Sequence, residues 1–196
     1  MRNRWYGDNR DLMKWSVLIH LATRYNAKRI LQIAYFREDD IQHVEIDDTK
    51  IDIPAEVMTH FRNIRKIETL CSQVNISVFD KVLADRNQYI DEAKRFISSF
   101  KGERCIVFLD PDTGLEPERP SLNHVLDSEV KTLWNALESL DVLVLYQHQT
   151  NRRGEPWENA KRMQFAKAID VPGGNVKIGR GPQLAHDVVL LYVQRS

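Results

Sequence analysis

The chain has 196 residues, of which 42% are hydrophobic and 29% are charged. This length is typical of one domain, and so apolar a chain can bury a core, which excludes wholesale disorder. Its 28 basic and 28 acidic side chains cancel, which excludes a globally polybasic protein. No apolar run approaches the ~20 residues of a membrane helix, and two cysteines are too few for a disulfide scaffold. We expect a single cytoplasmic domain over residues 1–196, without a membrane partner.

A helix is predicted near the start of the chain. Asp8 or Asn9 can cap its first turn, and the apolar pattern continues to about Tyr25. Asp11 and Lys14 lie on the same stripe of this helix as two leucines further along. A charged pair is therefore expected at the N-terminal end of an apolar face.

Strands and helices alternate along the rest of the chain. Strands that are apolar throughout, separated by amphipathic helices, indicate a parallel sheet covered on both faces. The connector between the last two strands is too short for a helical crossover, so that pair is expected to be antiparallel. We predict an α/β fold with a doubly wound, mostly parallel sheet, an antiparallel edge and a small hairpin insertion. The expected elements are strand 29–36, hairpin 41–53, helix 54–71, strand 76–79, helix 85–100, strand 105–109, helix 130–140, strand 142–146, helix 157–169 and strands 176–179 and 188–193.

Polar residues follow two of the buried strands, where ligands bind in sheets of this kind. Asp110, Pro111 and Asp112 come directly after strand 105–109, and His148 comes after strand 142–146. The alternative is a plain turn, which Asp and Pro also favour. A turn does not need two carboxylates beside a buried strand, so we predict that these four residues form a catalytic site.

A second polar group extends from the same strand end. Gln147, Asn151, Arg152 and Arg153 are predicted to bind substrate, since arginine side chains contact the phosphates of nucleic acids and nucleotides. An ordinary surface role explains the arginines equally well. The predicted partner is therefore a nucleic acid or a nucleotide.

The acidic strand end suits more than one reaction. In a methyl transfer, Asp110 would hold an exocyclic amine while the methyl group is delivered in line. In a phosphohydrolase or nuclease, Asp110 and Asp112 would bind Mg²⁺ with phosphate oxygens, and His148 would act as acid, base or ligand. A catalytically inactive binding module is the third alternative.

Two motifs carry a resemblance to known families. The segment Tyr6-Gly7-Asp8-Asn9-Arg10-Asp11-Leu12-Met13-Lys14-Trp15 resembles the G-N-x-x-D-x-x-K-H start of the ribosomal RNA large-subunit adenine methyltransferases, which are class I Rossmann-like enzymes. Their D-P-P-Y motif corresponds here to Asp110-Pro111-Asp112-Thr113. The chain also resembles a bacterial family with G-D-x-x-D-x-x-K at its start and F-L-D-P-D-x-G-L in the middle.

This resemblance implies a Rossmann-like fold of the methyltransferase type, with S-adenosylmethionine as cofactor and a nucleobase amine as substrate. It assigns cofactor contacts to Gly7, Asp11 and Lys14, and amine contacts to Asp110 and Pro111. Acids at the positions of Asp80 and Asp85 often face ribose and adenine in this fold class. The chain differs from the family after the first strand, where Ala34-Tyr35-Phe36-Arg37 replaces a glycine-rich loop.

Overall fold

The computed structural model describes residues 7–37, 43–61, 63–150 and 156–196. Its helices are α1 (Asn9–Tyr25), α2 (Ala55–Phe61), α3 (Arg86–Ser98), α4 (Asp127–Ala136) and α5 (Glu158–Ile169), with 3₁₀ helices at Ile64–Thr69 and Gly173–Asn175. Its strands are β1 (Arg29–Ile33), β2 (His43–Ile46), β3 (Thr49–Asp52), β4 (Asn75–Phe79), β5 (Cys105–Leu109), β6 (Gly114–Leu115), β7 (His124–Val125), β8 (Val142–His148), β9 (Lys177–Gly181) and β10 (Ala185–Gln194).

Six strands form the central sheet in the order β4-β1-β5-β8-β10-β9. The first four are parallel, and β10 runs antiparallel to both of its neighbours. Ile33 of β1 pairs with Leu109 of β5, which in turn pairs with Leu145 of β8. The carboxyl ends of these strands therefore lie side by side, and the predicted mostly parallel sheet with an antiparallel edge is confirmed.

Helices cover both faces of the sheet because its central strands carry apolar residues on both sides. Ile30, Phe108 and Val144 share a buried cluster with α1 and the 3₁₀ helix at Ile64–Thr69. The alternating residues, such as Leu31 and Val107, pack in a second cluster with α3, α4 and α5. A fully buried side chain of this kind contributes about 1.5–3 kcal/mol of hydrophobic stabilisation. The architecture is Rossmann-like.

The first helix begins and ends where its capping residues predict. The side chain of Asp8 accepts hydrogen bonds from the backbone N–H groups of Arg10 and Asp11, at 2.9 and 3.0 Å. Asn26 follows the last turn in the left-handed conformation, with φ +50°, which asparagine tolerates better than most residues. These caps fix the register of the helix that carries Asp11 and Lys14.

The prediction of one long helix after Pro54 is wrong. Helix α2 ends at Phe61, and a separate 3₁₀ helix begins at Ile64. The side chain of Asn63 caps this second element by accepting from the N–H of Arg65 at 3.1 Å. Val57, which the longer helix would have turned inward, is 41% exposed.

The first strand is also shorter than predicted, since it ends at Ile33 rather than at residue 36. Tyr35 adopts a left-handed conformation with φ +45°, which interrupts the regular strand. Phe36 then forms an isolated parallel bridge with Val82. The predicted hairpin insertion is confirmed as β2 and β3, which pair Val44 with Ile51. Among the helices described, none combines the length and the apolar character that crossing a membrane requires.

Candidate functional site

The two motifs that carry the resemblance meet at the carboxyl end of β5. Lys14 Nζ lies 3.1 Å from Asp110 Oδ1 and 2.6 Å from Asp11 Oδ1. Asp110 is the first residue after β5, and the inward stripe of α1 passes over that strand end. The structure therefore brings together residues that are almost a hundred positions apart in the chain.

Asp110 has protein donors on both carboxylate oxygens. Lys14 Nζ contacts both, at 3.1 and 3.3 Å, and Gln32 Nε2 donates to Oδ2 at 2.8 Å. The residue is 1% exposed. A buried carboxylate requires such partners because water cannot supply them. In this conformation Asp110 is therefore engaged with the protein rather than open to a substrate amine.

The ammonium of Lys14 is the cation that two carboxylates share. Burial alone would lower the pKa of Lys14, but the charges of Asp110 and Asp11 raise it well above its ordinary value. The ammonium also lies 5.0 Å from the ring centroid of Tyr146. Lys14 is thus held protonated between Asp11, Asp110 and an aromatic face.

Asp11 connects this cluster to Gly7, the residue before the N-cap of α1. The backbone N–H of Gly7 donates to Asp11 Oδ2 at 2.7 Å, and Gly7 adopts φ +88°, which favours glycine. Burial raises the pKa of Asp11, and the like charge of Asp110 raises it further against the opposing effect of Lys14. The predicted cofactor residues Gly7, Asp11 and Lys14 therefore lie together, with their polar groups directed at one another.

The other two predicted catalytic side chains contact different partners. Asp112 forms an ion pair with Arg37. His148 Nε2 lies 3.0 Å from Asp187 Oδ2, which also accepts from Arg10 at 2.5 Å.

Asp110, Asp112 and His148 therefore each contact a different charged partner and do not form one shared centre. Within the described ranges, no cluster of three or more His, Cys, Asp or Glu side chains is arranged to hold a metal ion.

Gln147, predicted to bind substrate, has its side chain buried beneath the loop after β5. Its Oε1 accepts from Leu115 N–H at 2.9 Å, and its Nε2 donates to the carbonyls of Thr113 and His148. Gly114 passes so close that a Cβ there would lie 2.4 Å from Gln147 Oε1. These contacts hold the loop that contains Pro111 and Asp112.

The remaining predicted site residues lie elsewhere. Asp80 accepts two hydrogen bonds from the guanidinium of Arg65, at 2.7 and 2.6 Å. Asp85 caps α3 by accepting from Gln88 N–H at 2.8 Å. Three predicted substrate contacts fall outside the described residues, namely Asn151, Arg152 and Arg153.

The end of β1 tests whether the residues fit S-adenosylmethionine in the manner that the resemblance implies. A glycine-rich loop would offer free backbone N–H groups and a close approach there. Here Tyr35 is fully buried, and its N–H donates to Tyr89 Oη at 2.7 Å. Beyond it, Leu83 N–H donates to the carbonyl of Phe36 at 2.8 Å, which joins the extensions of β1 and β4. The residues present do not fit a cofactor held in this way.

Sequence reasoning missed several residues around the site. Arg10 lies four positions before Lys14 on the same helix, so its place beside the strand ends followed from helical spacing. Gln32 lies in β1 beside β5 and is 1% exposed, which no apolar pattern predicts. Asp187 reaches His148 because β10 returns antiparallel beside β8, and that register is not visible in the sequence.

Three arginines at or near this edge have unused donors. The Nε atoms of Arg10, Arg37 and Arg162 are buried, and they have no hydrogen-bond partner in the part of the chain that the structure describes. An unpaired buried donor is costly, so it points to an acceptor that binds there. Oxygen-rich anions are suitable acceptors for guanidinium groups.

Comparison with known proteins adds no assignment, since no known family matches the chain and no curated protein matches it either.

Proposed function

We propose that this chain is a methyltransferase-like module that binds a nucleotide or nucleic acid at the carboxyl edge of its sheet, without holding S-adenosylmethionine through the segment after β1. The state of Asp110 carries the proposal. This carboxylate is almost completely buried and already accepts from Lys14 and Gln32. Binding a substrate amine there would require breaking buried, charge-assisted contacts.

The arginines at the same edge support a phosphate-bearing ligand. Arg37 uses one guanidinium nitrogen in an ion pair with Asp112, and Arg10 uses its two terminal nitrogens with Asp8 and Asp187. Each of the two arginines has an unused Nε donor. Phosphate oxygens pair well with such donors, and these contacts position nucleic acids without reading their sequence. A cytoplasmic location, where such ligands are abundant, is part of the same proposal.

Binding of a labelled oligonucleotide tests the proposal. We expect the protein to raise the fluorescence anisotropy of a fluorescein-labelled single-stranded oligouridylate, with an affinity that falls as salt is added. Arg37→Gln is expected to weaken binding about tenfold, as the loss of a charge-assisted hydrogen bond to phosphate should.

Arg24→Gln, on the exposed last turn of α1, removes the same charge and should leave the affinity unchanged. Equilibrium dialysis should show no retention of radiolabelled S-adenosylmethionine. A wild-type protein that binds no oligonucleotide would contradict the proposed function.

A second candidate is methyl transfer to a nucleobase amine, because the contact between Lys14 and Asp110 joins the two motifs of the resembling methyltransferases. Transfer of a radiolabelled methyl group from S-adenosylmethionine to RNA or DNA would favour it over the first. Loss of that transfer in a folded Asp110→Asn variant would then assign the amine contact to Asp110. The Mg²⁺-dependent hydrolase stays a prediction, and the separate partners of Asp110 and Asp112 give it no support.

A further inference from the structure

A polar cleft of about 480 Å³ lies beside the candidate site, between the first turn of α5 and the ends of β8, β9 and β10. We call it the α5 cleft. Its volume is within the range of small-ligand sites. The residues that line it include Gln149, Trp157, Arg162, Ile178, Arg180 and His186.

We propose that the α5 cleft binds the phosphate group of a nucleotide or of a nucleic-acid chain. This inference rests on the proposed function, to which it adds a second, separate point of contact. None of its lining residues belongs to the buried cluster around Lys14 and Asp110. Two arginines and a histidine face the cleft, against the single carboxylate of Glu158.

Arg162 provides the first argument. One of its terminal nitrogens donates to Asn159 Oδ1 at 2.8 Å, which orients the guanidinium along α5. Its Nε is buried and finds no acceptor among the described residues. A phosphate oxygen in the cleft would supply the missing acceptor, and the fork of guanidinium donors suits that geometry.

Arg180 provides the second argument, because a ligand can replace Glu158 as its ion-pair partner. It forms an ion pair with Glu158, but the two side chains are 55% and 30% exposed. Ion pairs this exposed contribute little to stability, so replacement of the carboxylate by a doubly charged phosphate is not opposed by the fold. Arg180 can therefore bind a ligand in the same cleft as Arg162.

The start of α5 favours the same ligand. Trp157 occupies the N-cap position and provides no side-chain hydrogen bond to the first turn. The leading N–H groups of a twelve-residue helix thus lie beside the two arginines. This feature adds to the arginine geometry, which carries the proposal.

The test compares uridine, uridine monophosphate and the labelled oligouridylate as probes of the full chain. Arg162→Gln/Arg180→Gln is the test variant, and Lys94→Gln/Lys101→Gln removes the same charge from α3 and the turn after it. Thermal melting checks that both variants are folded. We expect the test variant to weaken binding of the oligonucleotide at least tenfold and to reduce the salt slope by about 1.4, at about 0.7 per phosphate contact on a single strand.

The three probes separate the sources of the phosphate. Binding of uridine monophosphate but not uridine, lost in the test variant, supports a site that takes a free nucleotide. Binding of the oligonucleotide alone, lost in the test variant, supports a site for a phosphate within a chain.

Two results would overturn the inference while the proposed function stands. One is an affinity for the oligonucleotide that the test variant lowers no more than the control variant does, and the other is measurable and equal binding of uridine and uridine monophosphate. A wild-type protein that binds none of the probes would overturn the proposed function itself.

Discussion

Polar side chains at the carboxyl edge of the sheet form two layers that differ in what their donors contact. In the inner layer, the buried carboxylates, the ammonium group and the amide nitrogens contact one another or the backbone, and its residues are Asp11, Lys14, Gln32, Asp110 and Gln147. The outer layer consists of Arg10, Arg37, Arg162 and Arg180. Three of them form ion pairs with carboxylates and Arg162 donates to Asn159, while the Nε donors of Arg10, Arg37 and Arg162 have no partner among the described residues.

This contrast indicates which polar residues at a strand end are available to bind a ligand. A buried polar group without a hydrogen-bond partner is costly, so the side chains of an inner layer find their partners within the protein before any ligand binds. The unused Nε donors of the outer layer are buried too, and the same cost favours a ligand that brings an acceptor to them. Acidic residues directly after a buried strand, such as Asp110, are therefore candidates for structure as much as for chemistry.

We expect the greatest loss of stability when the cation that Asp11 and Asp110 share is removed. Lys14→Met leaves Asp11 and Asp110 buried without their ammonium and should lower the free energy of unfolding by about 3–5 kcal/mol. Urea denaturation measures the change. Lys28→Met, at an exposed position, should stay within about 0.5 kcal/mol of the wild type. Equal stability of the two variants would show that the inner layer is not a structural unit.

The next effect tests how tightly the inner layer holds the loop after β5. Gly114→Ala places a methyl group against Gln147 Oε1 at a residue with φ +114°, and should cost about 2–4 kcal/mol. Gly174→Ala is the matched control, since nothing lies within 4 Å of its added Cβ. Thermal unfolding of both variants reports the difference. A stable Gly114→Ala variant would mean that Gln147 is free to move, as a substrate-binding residue should be.

The smallest effect belongs to the outer layer. Arg10→Gln removes the guanidinium partner of Asp187, which keeps its contact with His148, and should cost about 1 kcal/mol at neutral pH. Burial alone would raise the pKa of Asp187, but its hydrogen bond and ion pair with Arg10 lower it below the ordinary 3.8.

A carboxyl with a lowered folded-state pKa stabilises the protein above that ordinary value and loses the contribution as the pH falls through the lowered pKa. The difference between Arg10→Gln and the wild type, measured by urea denaturation, should therefore shrink in acid. A difference that persists unchanged at low pH would assign the effect of Arg10 to packing instead.

Much of the fold follows from the sequence because its signals are local. The apolar runs at 105–109 and 142–146 predict buried parallel strands, and Asp8 predicts the start of α1. The apolar spacing continues in register past Phe61 and therefore predicts one long helix. The side chain of Asn63 caps a separate 3₁₀ helix there, which the spacing does not reveal. The insertion of β10 between β8 and β9 depends on long-range pairing, which periodicity does not report.

The site was harder to predict because the same residue types serve both layers. The resemblance assigns Lys14 a cofactor contact and Asp110 an amine contact, and the structure brings these two side chains into direct contact. Whether the carboxylate of Asp110 is free to bind a ligand depends partly on Gln32, which donates to it from the neighbouring strand. The unused donors of Arg37 and Arg162 likewise depend on side-chain geometry that spacing does not encode.

The position of β10 bears on the order in which the protein assembles. Residues 185–194 lie inside the sheet, with β8 on one side and β9 on the other. During synthesis, β8 and β9 are made before β10, the strand that joins them in the sheet. Until then one side of β8 has no partner strand. Such late, distant pairing slows folding. Until β10 is made, the apolar strand β8 lacks a neighbour on that side, which is the kind of unpaired edge that favours aggregation of incomplete chains.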